Sequence, residues 1–235
     1  MQYYSQNGQD AFIVKLFNGK RNGYFLDIGA YDGVYFSNSL TLEKSLGWEG
    51  ICIEPNPLVY GQLKSNRTCT CLNYCVSDKK RVVDFLAVSG WGAMLSGILD
   101  KFNEGHLARI DDTIKEHGGS KQVIQVEALP ISDLLENYGV KTVDYCNIDV
   151  EGGEMSVLRS INFSHVEIKI FTIENNYGSE TVMQFLKGLG YSLIARIGED
   201  EVYEYKSKRY SLISRMKIYK IKNSLGNIKR KLIRK

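Results

Sequence analysis

The stretch GYFLDIGAYDGVYFSN, residues 23–38, decides the fold. Tyr24 to Ile28 is a short apolar run of strand type, and Gly29 and Gly33 then open a loop. Helix-starting chemistry follows at Ser37. Strand, glycine loop and helix in that order form the first unit of an open α/β sheet, in which ligands bind beyond the carboxyl ends of the strands.

A dinucleotide pyrophosphate would require G-x-G-x-x-G in this loop, because backbone N–H groups and a helix N-terminus must face it. Here Asp27 precedes the first glycine and Asp32 sits inside the loop. Two carboxylates repel a pyrophosphate and suit a ligand with a positive end, an ammonium or a sulfonium. The loop therefore favours S-adenosylmethionine over NAD.

The flanking sequence alternates strands and helices. A helix is expected around Gln9 to Phe17 and another from Ser37 to Leu46. GICIEP (residues 50–55) reads as strand two, Pro57 opens a helix, and LNYCVS (72–77) reads as strand three. VVDFLAV and KQVIQVEAL are further strands. The glycine-bearing segment between them, about 89–120, reads as a loop or lid with a short irregular helical piece at its end. VDYCNIDV and VEIKIFTIE are buried strands, each followed by a helix, and YSLIARIG with EVYEYK is a closing hairpin. The pattern predicts a mostly parallel sheet with helices on both faces and an antiparallel C-terminal hairpin. It places one domain over residues 1–205 and a separate tail over 206–235.

Acids recur at the expected strand tips. Glu54 ends strand two, where a carboxylate can accept hydrogen bonds from ribose hydroxyls. Ser77 and Asp78 end strand three, placed to meet an adenine amino group. Gln6 and Asp10 from the opening segment, and Ser37 and Asn38 at the first core helix, are candidates for the amino acid end of the cofactor. Helix capping is the structural alternative for Ser37 and Asn38.

DIGAYDGVYFSNS, GWEGICIEPNP, LNYCVSD and NIDVEGGEMSVL together resemble the FkbM-type family of S-adenosylmethionine-dependent methyltransferases. The resemblance runs from about residue 4 to 204, and IDVEGGE is its most specific piece. It implies a class I, Rossmann-like, seven-stranded methyltransferase sheet, with Asp27, Gly29, Gly33, Glu54 and Asp78 at the cofactor. The adjoining Ala30, Tyr31, Asp32, Pro55 and Asn56, with Asp149, complete the candidate cofactor set. The implied reaction is O-methylation, often of a sugar hydroxyl, so a sugar or glycoconjugate is the expected acceptor. Tyr31 departs from the wider methyltransferase pattern, which has glycine there.

Methyl transfer to oxygen needs an aligned nucleophile and a group that removes its proton. Asp149 in NIDVEGGE and Glu174-Asn175 in TIENN resemble the ligand set of catechol-type O-methyltransferases, which hold a divalent ion. Mg2+ or Mn2+ would suit such oxygen ligands and would lower the pKa of a bound hydroxyl. Without an ion, Asp149 or Glu151 could serve as base. Glu151 and Glu154 also suit a helix N-terminus. His106 is either a surface residue or a base brought in by lid closure, and Trp91 either stacks on adenine or packs under the lid.

Five cysteines without paired C-x-x-C spacing read as free thiols, and the default compartment is the cytoplasm. The whole chain carries +3, but residues 206–235 hold twelve Lys/Arg and no acid, which leaves −9 on residues 1–205. Apolar residues at helical spacing in this tail suggest an amphipathic basic helix, for a peripheral membrane or protein contact. The acidic body argues against a nucleic-acid partner.

Overall fold

The computed structural model describes residues 1–176 and 178–206. The basic tail expected to make membrane or protein contacts lies outside the described residues. None of the described helices is long and apolar enough to cross a membrane.

In chain order the elements are α1 (Gln9–Leu16), β1 (Tyr24–Ile28), α2 (Leu40–Leu46), β2 (Glu49–Ile53), α3 (Pro57–Asn66), β3 (Thr70–Leu72), β4 (Cys75–Val76) and β5 (Arg81–Val88). Two short 3-10 turns around β6 (Gly97–Ile98) lead to α4 (Glu104–His117), β7 (Lys121–Leu129), α5 (Ile131–Asn137) and β8 (Thr142–Ile148). The chain then forms α6 (Glu154–Arg159), β9 (Glu167–Glu174), α7 (Glu180–Gly188), β10 (Tyr191–Ile197) and β11 (Asp200–Tyr205).

Seven strands form the main sheet in the order β10-β11-β9-β8-β1-β2-β3. The five from β9 to β3 run parallel, and β11 is antiparallel to both β9 and β10. This is the Rossmann-like sheet with a reversed C-terminal hairpin that the sequence predicts. Alternate residues of its strands feed two cores. Leu26, Ile28, Cys146, Ile148 and Phe171 pack with α5, α6 and α7, whereas Phe25, Cys52, Tyr145 and Ile170 pack with α1, α2 and α3. Apolar burial on both faces explains why these strands read as nearly continuous hydrophobic runs.

Three expectations change. LNYCVS is not one strand: β3 pairs with β2, whereas β4 joins a second sheet of order β4-β7-β5-β6. Asn73 marks the break, donating to the carbonyls of Glu54 and Pro55 at 2.8 and 3.1 Å. The short irregular piece expected near residue 110 is α4, fourteen residues long. Asn103 caps it by accepting from His106 N at 2.8 Å, and Leu107, Ile110 and Ile114 at helical spacing bury its inner face. The helix expected from Ser37 begins at Leu40, whose N–H donates to Ser37 Oγ at 3.1 Å.

Asp144 on β8 clamps the bottom of the sheet, opposite the strand tips. It accepts from Lys20 and Lys169 at 2.7 Å each and from the backbone N of Tyr24 at 3.0 Å. Burial alone would raise its pKa, but these bonds hold it below the usual carboxylate value. A depressed folded pKa contributes stability above the unfolded value of about 4, lost as pH falls through the folded one. Asp144→Asn should therefore cost about 1–2 kcal/mol at pH 7, since both lysines are more than a third exposed. Urea melts at pH 7 and pH 3 check this, with the gap between wild type and variant closing at the lower pH.

Candidate cofactor and active-site cleft

Beyond the carboxyl ends of β1, β2, β8 and β9 lies a cleft of about 1400 Å3, counting its open mouth. Gly29 lets the first loop pass the tip of β8. Its φ is +84°, and a Cβ there would lie 1.7 Å from the carbonyl oxygen of Asp149. Tyr31, the departure from the wider pattern, also has positive φ (50°), and its N–H donates to Glu54 Oε2 at 3.0 Å. A tyrosine thus holds a left-handed backbone here, at a cost of about 1 kcal/mol. The bond to Glu54 fixes the loop path that the sequence leaves open.

Asp27 lies on the cleft wall at 2 % exposure. Its carboxylate accepts from Ser39 Oγ and from Asn147 Nδ2, the latter at 3.0 Å. Burial raises its pKa, and Arg67, Ser39 and Asn147 pull it back. Asn38 donates to Asn147 at 2.9 Å, while its own Oδ1 is buried, faces no partner and belongs to a residue lining the cleft. An orphaned buried acceptor costs about 1–3 kcal/mol. Asn38 and Asp27 both bond Asn147 and both line the cleft, and a cationic donor such as an amino acid ammonium suits this pair of acceptors.

Glu54 closes the tip of β2. Burial pushes its carboxyl up to about 7, against opposing bonds from Asn56 N at 2.7 Å and Tyr31 N. A ligand donating hydroxyl protons would restore its charge, which is the chemistry of a ribose edge. Val76, Phe85 and Ile98 from the second sheet, with Met94 from the turn between β5 and β6, give the cleft an apolar side.

Asp149, Glu151 and Glu174 meet at the other end, with carboxylate oxygens within 4.8 Å of one another. Glu151 has φ +54°, and strain of this kind persists where the surroundings over-determine it. Burial first, then repulsion from neighbouring acids, raises Asp149 and Glu174, the latter to about 8. Glu151, also raised by burial to about 7, is partly offset by Arg109 Nη1 at 4.0 Å.

His106 sits behind this group at 5 % exposure, not on the surface. Its Nε2 is 3.0 Å from the Leu95 carbonyl, which can only accept, so Nε2 carries the hydrogen. Burial lowers its pKa, which leaves neutral Nδ1 facing Glu151 Oε2 at 3.6 Å.

Gln6, Ala30, Ser37 and Pro55 also line the cleft. Several expected residues have other work. Asp32 accepts from Val34 N and Tyr35 N at 2.8 and 2.7 Å, which shapes the loop. Gly33 packs where a Cβ would meet Leu63 and Arg67 at 2.7 Å. Asn56, fully buried, caps α3 and donates to Val88 O and Ser96 Oγ at 3.0 Å. Asp10 is buried against Tyr4, Ser5 and Thr41 and fastens the N-terminal segment, while Gln6 faces the cleft.

Ser77 and Asp78, expected near adenine, follow β4 in the second sheet; Ser77 Oγ donates to Asp78 at 3.1 Å, and Tyr74, Cys75 and Val76 line the cleft instead. Asn175, an expected metal ligand, is held by Ser179 through bonds of 2.9 and 3.0 Å, and Glu151 takes its place among the acids. Trp91 stands 53 % exposed, 5.7 Å from the Tyr35 ring. Asn147, Glu199 and Asp200 also line the cleft and were not singled out in the sequence. For Asn147, the signal was an amide inside an otherwise apolar strand.

The family model described as the methyltransferase FkbM domain matches residues 27–193. The chain belongs to the FkbM methyltransferase family. The match starts at Asp27 and runs from the glycine loop into β10, so it includes all three acids of the cluster. Membership makes this a protein of the S-adenosylmethionine-dependent methyltransferase class.

Among solved structures, the FkbM-family chain is similar to a human methyltransferase 10 domain containing protein at 11 % identity, with 84 % of this chain and 80 % of that one covered and a TM-score of 0.41. It is also similar to M. capricolum TrmK in complex with S-adenosyl-homocysteine (10 % identity, 86 % and 72 % covered, TM-score 0.39). A third similarity is to a METTL16 methyltransferase domain (11 % identity, 84 % and 66 % covered, TM-score 0.39). No curated protein matches by sequence.

Proposed function

We propose that this protein methylates a hydroxyl oxygen of a sugar or glycoconjugate, with a divalent ion at Asp149, Glu151 and Glu174. The observation that carries the reading is the meeting of these three carboxylates in the cleft that also holds Asp27, Asn38 and Glu54.

When bound, S-adenosylmethionine supplies an electrophilic methyl group. Asp27 and Asn38 Oδ1 would hold its ammonium, and Glu54 would accept from its ribose hydroxyls. Val76, Phe85 and Ile98 offer the adenine an apolar wall. Three crowded carboxylates with one exposed arginine nearby are a donor set that suits a hard cation, Mg2+ or Mn2+. Such an ion would lower the pKa of an acceptor hydroxyl. Glu151 is placed to take the released proton, with the Nδ1 lone pair of His106 behind it.

The acidic cleft supports an acceptor without phosphates, because Asp149, Glu151, Glu174, Glu199 and Asp200 line it and residues 1–205 carry a net negative charge. Incubation with isotopically labelled S-adenosylmethionine and a glycan panel, followed by mass spectrometry, tests the reading. Label on a carbohydrate oxygen supports it, and label found only on nitrogen, carbon or nucleic acid rejects it. Chelation of divalent ions is expected to lower transfer at least about tenfold, with recovery on added Mg2+ or Mn2+. Full activity after thorough chelation would remove the ion from the mechanism.

A further inference from the structure

We propose that Arg67, a residue outside the cleft lining, is the positioning residue that holds the cofactor loop in its binding geometry. The inference rests on the reading of Asp27 and Asn38 as the ammonium site.

Arg67 follows α3, and its side chain is fully buried against Glu43 of α2, with Nε 2.6 Å from Glu43 Oε2. The remaining guanidinium nitrogens reach into the loop after β1. Nη1 donates to Gly33 O at 3.3 Å and to Ser37 Oγ at 3.4 Å, and Nη2 donates to Ser39 Oγ at 3.0 Å. Ser39 Oγ in turn donates to Asp27. One planar fork therefore fixes the middle and the far end of the loop and the donor that orients the Asp27 carboxylate. Its guanidinium lies 5.4 Å from the Phe25 ring centroid, and its Cγ fills the space that a side chain at Gly33 would need.

Lysine supplies the charge but not the fork, so it cannot hold Glu43, Gly33 and Ser39 together. The arginine also offsets the burial of Asp27. Other ionisable groups interacting with Asp27 are Cys52 of β2, Glu54 just after it, Cys69, and Tyr145 and Cys146 of β8. Among the charged and ionisable groups named for Asp27, Arg67 favours the carboxylate form, and the hydrogen bonds from Ser39 and Asn147 add to it.

The test measures S-adenosylhomocysteine affinity by calorimetry from pH 5 to 8. Wild type, Arg67→Lys and the charge-balanced double variant Glu43→Gln/Arg67→Met are compared. The double variant avoids stranding a buried Glu43 charge, and urea melts establish that each protein is folded. Arg67→Lys is expected to weaken binding about tenfold or more with an unchanged pH profile. The double variant should weaken it similarly and lose affinity at a higher pH on acidification, because Asp27 then protonates more readily. Folded variants with affinities within about twofold of wild type and the same profile would overturn the role of Arg67. Failure of wild type itself to bind S-adenosylhomocysteine would instead overturn the reading of the cleft.

Discussion

Gly29→Ala is expected to abolish cofactor binding and to destabilise the protein by at least about 3 kcal/mol. Two penalties combine at this position. Its φ of +84° disfavours any side chain, and the added Cβ would sit 1.7 Å from the Asp149 carbonyl oxygen. That oxygen is backbone at the tip of β8, so it cannot swing aside as a side chain would. Relief requires β1 and β8 to separate where they pair from Phe25↔Tyr145 to Ile28↔Ile148. The same movement would pull Asp27 from Asn147 and shift Asp149 relative to Glu151. Urea unfolding and S-adenosylhomocysteine calorimetry check the two effects, and wild-type values in both would show that the loop does not pass β8 as described.

The second large effect has opposite signs in stability and in activity. In metal-free protein, Glu174→Gln should raise stability by about 1–2 kcal/mol at pH 7, because the folded state holds this carboxyl at about 8, so that folding must take up a proton at pH 7, a cost that glutamine avoids. Methyl transfer should meanwhile fall by about 10²-fold or more, as the donor set loses a charged ligand. Added Mg2+ or Mn2+ should then raise the melting temperature of wild type and leave that of the variant nearly unchanged. Lower stability of the metal-free variant would mean that the cluster supports the fold instead of a ligand.

How much of this was legible in the sequence follows from what each residue's role depends on. The parallel sheet could be read because β1, β2, β8 and β9 are buried on both faces and so appear as apolar runs. The second sheet could not, because pairing of β4 with β7 depends on the bend at Asn73 and on partners some fifty residues apart. Asp27 and Glu54 were legible as acids at strand tips. Asp32, another acid, and Asn56, an amide acceptor, lie nearby, but short-range bonds to Val34, Tyr35 and Leu58 use them for loop and helix ends. Glu151, legible in the sequence as a candidate base, joins Asp149 and Glu174 because a left-handed turn after β8 brings it to them, whereas Asn175 is tied to Ser179. Arg67 was hidden, since its partners come from α2 and from the loop after β1.

The cleft beyond β1, β2 and β8 is expected to bind the cofactor of this FkbM-family methyltransferase through Asp27. Isothermal calorimetry of S-adenosylhomocysteine with wild type and Asp27→Ala tests it most directly. Binding at about micromolar Kd by wild type, weakened by about 100-fold or more in a folded Asp27→Ala, is the predicted result. Equal affinity in the two proteins, or no binding by wild type, would contradict it.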